Sequence, residues 1–117
     1  SVDNAMYTAK IGGEIVGCAN VSRLPRRMSH RGDIGISVRR SAWHHGVGTA
    51  LMEALIAFAR ENGFEQLELQ VRCDNDRAIR LYERFGFQTV GRIPAFLKVR
   101  GEDVDCFFMV LHLDKAS

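Results

Sequence analysis

The sequence predicts a mixed α/β chain of the α+β type, with the element order β-β-β-α-β-α-β-β. Three observations predict it. Apolar residues recur at helical spacing in two segments, around Val47–Ala59 and Ala78–Phe85. The runs between them alternate polar and apolar residues, as half-buried strands do. Turn signals at Gly12-Gly13 and Arg100-Gly101 separate extended runs at either end, so the strands they join form antiparallel hairpins. The 117 residues are one domain's worth, 46% hydrophobic and 26% charged, which excludes a disordered or collagen-like chain.

The elements follow in order. Tyr7–Ile11 alternates weakly, and Gly12-Gly13-Glu14 turns it into a second strand, Ile15–Val21. Gly17 inside that strand marks a bulge or a close backbone approach. Arg23–Arg31 reads as a basic, solvated, Pro-containing loop. Ile34–Val38 places apolar side chains at alternate positions and is the third strand. The loop after it, Arg39 to Gly48, ends in Gly-x-Gly. Val47, Ala50, Leu51, Ala54, Leu55, Phe58 and Ala59 then form one apolar stripe of a helix. Asn62-Gly63 ends that helix, Gly63 suiting the left-handed position beyond the C-cap. Gln66–Val71 is a strand. Asp74 or Asn75 caps a short helix that buries Ala78, Leu81, Tyr82 and Phe85 and stops at Gly86. Phe87–Val99 and Val104–Leu113 form the second hairpin.

Sixteen basic and fourteen acidic residues leave a net charge of +2, too mild to argue for nucleic acid or a membrane surface. No apolar run approaches the roughly 18 residues of a membrane span. Cys18, Cys73 and Cys106 form no Cys-x-x-Cys pair and read as reduced core or near-core thiols of a cytoplasmic protein. The four histidines lack metal-site spacing, so no metal is expected.

A Gly-x-Gly that opens a helix just after a strand is an anion site. The first backbone N–H groups of a helix have no internal partner, and the macrodipole places positive charge there. A pyrophosphate suits it. A Rossmann fingerprint would need Gly or Ala where Leu51 stands, and a Walker loop would need a Lys before Thr49.

Three blocks resemble the GNAT superfamily of acetyltransferases. The first is Ile34-Gly35-Ile36-Ser37-Val38 followed by His45-Gly46-Val47-Gly48-Thr49-Ala50-Leu51-Met52. The second is Leu67-Glu68-Leu69-Gln70-Val71 with Asn75. The third is Ala78-Ile79-Arg80-Leu81-Tyr82-Glu83-Arg84-Phe85-Gly86-Phe87. The resemblance runs from about Tyr7 to Leu113. It implies a mixed, mostly antiparallel sheet with two main helices. It also implies acetyl-CoA as co-substrate and transfer of the acetyl group to a primary amine by direct attack on the thioester. The amine would belong to a small molecule, an amino acid or a peptide N-terminus. Cofactor contacts would fall on Ile36, Val38, Trp43, His44, His45, Gly46, Val47, Gly48, Thr49, Asn75, Ala78 and Tyr82. Catalytic roles would fall on Tyr82, as the acid that protonates the departing thiolate, and on the backbone N–H near Val38, as the oxyanion donor.

One position departs from the family pattern Gln/Arg-x-x-Gly-x-Gly/Ala. Trp43 stands where Gln or Arg is usual, which removes a polar side chain from the rim of the loop. Asn75 would contact the pantetheine arm while also capping its helix. Arg39, Arg40, Arg72 and Arg77 lie nearest the cofactor phosphates in the topology.

No side chain stands out as general base among Asp33, Glu68, His30, His44 and His45; Asp33 or Glu68 would face the splay that the resemblance implies between Ile34–Val38 and Gln66–Val71, or else lie on a solvated strand face. A lysine-type amine is neutral only about once in 10³ molecules at pH 7, whereas an α-amine is roughly one-tenth neutral. Water suffices as base for the second, which favours an α-amino acceptor. Phe107, Phe108, Val110 and Leu111 suit pairing across a homodimer.

Residues 1–117 are expected to form a single acetyltransferase domain without the strand and two helices that family members carry before the first hairpin. Ser1 in place of Met fits that expectation. The rival is a non-catalytic chain that binds acetyl-CoA or CoA as a sensor, or an incomplete fold. An RNA-binding domain is a third reading, and it lacks an aromatic stacking platform.

Overall fold

A computed structural model describes residues 2–113; Ser1 and the residues after Leu113 lie outside the described part. Six strands and two helices follow one another as expected: β1 (Asn4–Ile11), β2 (Glu14–Arg23), β3 (Arg31–Val38), α1 (Val47–Glu61), β4 (Gln66–Arg72), α2 (Asp76–Arg84), β5 (Gln88–Val99) and β6 (Glu102–His112). The pairs β1–β2, β2–β3 and β5–β6 are antiparallel. The chain is therefore mixed α/β with mostly antiparallel pairing and two helices. It divides into two compact units, one running to Leu67 and taking in Leu113, the other Glu68–His112.

In the first unit the strands run in the order β1-β2-β3. Both glycines of the β1–β2 turn have positive φ, 57° and 86°, as a two-residue hairpin turn needs. The pairing shifts between Ala9↔Gly17 and Lys10↔Ile15, which leaves Val16 as the extra residue of a bulge. Val16 and Gly17 are consequently buried in succession, and Ile15 on the other side of the bulge is exposed. Gly17 is also a close approach. A Cβ there would lie 3.0 Å from Val47 Cγ1, 3.2 Å from Leu51 Cδ1 and 3.2 Å from the Ser37 carbonyl oxygen. The first two turns of α1 therefore rest on bare backbone.

Three expectations change in this unit. The α1 stripe is Val47, Leu51, Met52, Leu55 and Ala59, with Ala50 exposed and Met52 fully buried. The buried face thus takes in Met52 in place of Ala50. Cys18 is exposed, since beyond the bulge the phase set by Gly17 turns Cys18, Asn20 and Ser22 outward. The basic loop is shorter than Arg23–Arg31: β2 runs through Arg23, β3 begins at Arg31, and a 3₁₀ turn at Arg26–Met28 joins them.

Arg23 is not a solvated loop residue, its side chain being only 15% exposed. Its guanidinium donates to Asp3 Oδ1 (2.9 Å), to the Ser29 carbonyl (2.7 Å) and to the Asn62 carbonyl (2.7 Å). It also lies 3.9 Å over the Phe64 ring. Asn62 is the C-cap of α1, so a cation sits where the helix dipole is negative.

In the second unit the order is β4-β6-β5. Leu69, Val71, Tyr82, Phe87, Cys106, Met109 and Val110 are buried. The β5–β6 register breaks between Ile93 and Leu97, and Ala95 there has φ 50°. Asp105 holds this irregularity by accepting from the Ala95 N–H and from Arg92 Nε, both at 2.9 Å. Those two bonds, the backbone one first, hold its carboxyl below the usual carboxylate range. Phe107, Phe108 and Leu111 are half-buried and Val110 is buried; exposed apolar side chains lie on β5 at Val90, Phe96 and Leu97.

Replacing Gly17 by Ala should destabilise the protein by about 1–3 kcal/mol, the usual cost of overpacking. Urea unfolding should show a lower midpoint with an unchanged slope. An unchanged midpoint would refute the close approach.

Candidate functional site

The N-terminal end of α1 is built from three features of the sequence. β3 ends at Val38, and Arg39 still donates to the Val16 carbonyl at 2.7 Å. A 3₁₀ turn at Arg40–Ala42 follows, closed by Ala42 N–H to the Arg39 carbonyl and Trp43 N–H to the Arg40 carbonyl. His44 and His45 then project as an exposed pair, His44 at φ 70°. Gly46 occupies the N-cap position at φ 74°. That left-handed conformation costs a side-chain-bearing residue roughly 1–2 kcal/mol, and glycine adopts it freely.

Gly46 has no side chain to cap the helix, and the first turn of α1 carries no acidic residue. The Ala50 N–H is the first to reach a carbonyl of the helix, at Gly46. The N–H groups of Val47, Gly48 and Thr49 lie before it, at the positive end of a 15-residue helix. No atom lies within 4 Å of where a Cβ on Gly46 would stand, so the approach is open. These residues fit an anionic group such as a pyrophosphate.

The arginines nearest this end divide their roles. Arg39 reaches Glu14 at 3.5 Å on the surface. Arg40 lies over the Trp43 ring, 5.2 Å from its centroid. The indole N–H of Trp43 donates to the Val38 carbonyl at 3.1 Å. The Trp side chain that replaces a polar one is thus itself a donor, turned inward to the main chain.

The register of β2 and β3 gives the direction of the Val38 peptide groups. Arg39 bonds to Val16, so Arg39 and Val16 form a hydrogen-bonded pair. Gly17↔Val38 is then a non-bonded pair. The N–H and C=O of Val38 point away from β2, and by the same alternation so do those of Ile36.

The second unit holds the other candidates. Asn75 is the N-cap of α2, its Oδ1 accepting from the Ala78 N–H at 3.2 Å. Ala78 is half-buried on the first turn. Tyr82 is 7% exposed, and its ring lies 5.9 Å from that of Phe87 at a 58° tilt. No buried side-chain polar atom among the described residues lacks a partner, so its hydroxyl is not stranded in the core. Burial pushes the phenol above its ordinary value near 10. Arg72 is held by Asp74 through two bonds, at 3.0 and 2.9 Å. Glu68 is 5% exposed, which corrects the expectation of a solvated strand face. Strand alternation suggested a polar outward position, but burial on β4 covers Leu67, Glu68 and Leu69 in succession.

Comparison with known proteins bears on the same residues. A family model described as Acetyltransferase (GNAT) family matches residues 2–87. The chain is 36% identical over 104 residues to N-alpha-acetyltransferase RimI of Mycobacterium tuberculosis, covering 88% of this chain and 64% of that protein. It is 36% identical over 105 residues to the L-amino acid N-acetyltransferase AaaT of Escherichia coli, covering 86% of this chain and 64% of that protein. The chain thus spans just under two-thirds of the length of these curated relatives. In fold it is similar to yncA of Salmonella typhimurium, a structure solved with its cofactor acetyl-CoA. The TM-score is 0.86 at 24% identity, covering 96% of this chain and 66% of that one.

The buried phenol sets a pH dependence. The native Tyr82 hydroxyl ionises above its value in the unfolded chain. Stability from this group is complete below about pH 10 and is lost as pH rises past it, because the unfolded chain releases its proton first. Unfolding midpoints measured from pH 8 to 11 should fall less steeply in Tyr82→Phe than in the wild type. Equal slopes would contradict the burial of the phenol.

Proposed function

Because the chain belongs to the acetyltransferase (GNAT) family, we propose that it transfers the acetyl group of acetyl-CoA to an α-amine, on a free amino acid or a peptide N-terminus. The reading treats residues 1–117 as a single acetyltransferase domain. One observation carries it: α1 opens on Gly46 with no side-chain cap, leaving the N–H groups of Val47 and Gly48 to an anion. The two relatives reported above are named for acetylating α-amines and amino acids.

The roles follow from the groups present. The α1 N-terminus and its flanking residues Trp43 to Thr49 hold the pyrophosphate of acetyl-CoA. The backbone groups of Ile36 and Val38, turned away from β2, align the acyl arm. The Val38 N–H donates to the thioester oxygen as negative charge builds on it. The neutral amine attacks the carbonyl carbon; a C–N bond forms and the C–S bond breaks. Tyr82, kept protonated by burial, gives its proton to the leaving thiolate and regains one from solvent. Water takes the excess proton of the amine. Asn75 and Ala78, at the start of α2, contact the pantetheine arm.

The wild-type chain should be stabilised against heat by acetyl-CoA and should release CoA thiol faster with α-amines than with ε-amines. Tyr82→Phe should lower kcat by ~10²–10⁴ while acetyl-CoA still stabilises the protein. A near-wild-type rate in Tyr82→Phe would remove Tyr82 from the chemistry. Stabilisation without thiol release from any amine would favour a CoA-binding sensor.

A further inference from the structure

We propose that Trp43 is a positioning residue of the acyl-transfer site, fixing the last peptide of β3 so that the Val38 N–H holds its aim at the reacting oxygen. The proposal rests on the role given to Val38 above. It starts from two hydrogen bonds of one residue. The main-chain N–H of Trp43 donates to the Arg40 carbonyl at 3.1 Å, and its indole N–H donates to the Val38 carbonyl at 3.1 Å. The five residues from Arg39 to Trp43 therefore fold back as a bracket on the end of the strand.

Val38 is where a strand end would otherwise loosen. It is the last residue of β3, and its peptide groups face away from β2. β2 holds the Val38–Arg39 peptide only by its other edge, through the Arg39 N–H to the Val16 carbonyl at 2.7 Å, and the indole holds the Val38 carbonyl edge. The N–H and C=O of one strand residue point to the same side, so the indole grips Val38 on the side to which its N–H is turned. Ala42 is buried beside Trp43, and the Arg40 guanidinium covers the ring. The ring is half-buried, so its donor works in a partly desolvated setting where an amide partner counts for more.

The same side chain stands two residues before His45 and three before Gly46, at the entry to α1. It therefore couples two groups that the functional reading gives to one substrate, the pyrophosphate-binding turn and the oxyanion donor. At this position the family pattern has Gln or Arg. Here the donor is spent on the main chain of β3 rather than offered at the rim of the loop.

Trp43 is the sole tryptophan of the sequence, so its indole N–H gives one resonance in a ¹⁵N spectrum. Trp43→Phe keeps a ring under Arg40 and removes the donor; Trp43→Gln restores a donor on a shorter side chain. In Trp43→Phe, kcat should fall about three- to tenfold, the worth of one hydrogen bond. The KM for acetyl-CoA should stay within about twofold, because the anion turn keeps its backbone donors. Trp43→Gln should recover part of the kcat. An unchanged kcat, or a rise in KM alone, overturns the proposal.

Spectra of the wild-type chain decide the matter even without turnover. Absence of turnover with every amine would defeat the functional reading instead. The indole N–H should then still be protected from exchange, and CoA should shift the Val38 amide in the wild type but not in Trp43→Phe. An unprotected indole, or equal Val38 shifts in both proteins, overturns the coupling.

Discussion

An α-helix begins with N–H groups that its own carbonyls cannot reach. In α1 that constraint organises the first unit. No capping side chain and no first-turn carboxylate answers Val47 and Gly48. The groups can face outward because Gly46 takes a left-handed conformation and adds no atoms over them. They are held still because Val47 and Leu51 lie against the bare backbone of Gly17. The other end of the helix is held by Arg23, bound to the Asn62 carbonyl at the negative pole of the dipole. The N-terminal end is left open and the C-terminal end is tied.

The second helix shows the contrast. The N-terminus of α2 is closed by Asn75, which accepts from the Ala78 N–H, and Asp76 follows in its first turn. A capped end with a carboxylate is a poor anion site. What α2 offers instead is Tyr82 at its buried face, a phenol whose proton is held more firmly than in water. The two helices thus present different chemistry for local reasons. One lacks a cap and exposes donors; the other is capped and carries a buried phenol.

Much of this was legible in the sequence. The element order, both hairpin turns and the start of α1 at Val47 follow from apolar spacing and glycine placement, which are local signals. Gly17 was read as a bulge or a close approach, because a glycine inside a strand has few other uses; it is the close approach, beside a bulge whose extra residue is Val16. What failed was tertiary. Arg23 looked solvated because nothing local shows that the Asn62 carbonyl and the Phe64 ring, some forty residues on, come to meet it. Ala50 and Met52 exchanged places because which flank of an apolar stripe is covered depends on neighbours that helical spacing does not encode. Glu68 looked like an outward strand position, but burial on β4 depends on neighbours that alternation does not encode. Trp43 looked like the loss of a polar side chain, since a substitution pattern names a residue type and not the atom its donor will find.

That last miss changes how charge at the loop is understood. Arg39 is engaged by Glu14, and Arg40 lies on the Trp43 ring. An anion at the start of α1 would therefore meet main-chain dipoles more than side-chain cations. Main-chain donors cannot rotate away or be screened as exposed ammonium and guanidinium groups are. They need only correct placement, and placement is what Gly17, Gly46 and the Trp43 bracket supply. A polar side chain at the rim is then dispensable, and position 43 is free to carry a residue that steadies the strand. The mild net charge of +2 fits the same physics: a site that binds through fixed backbone donors does not need a strongly basic surface around it.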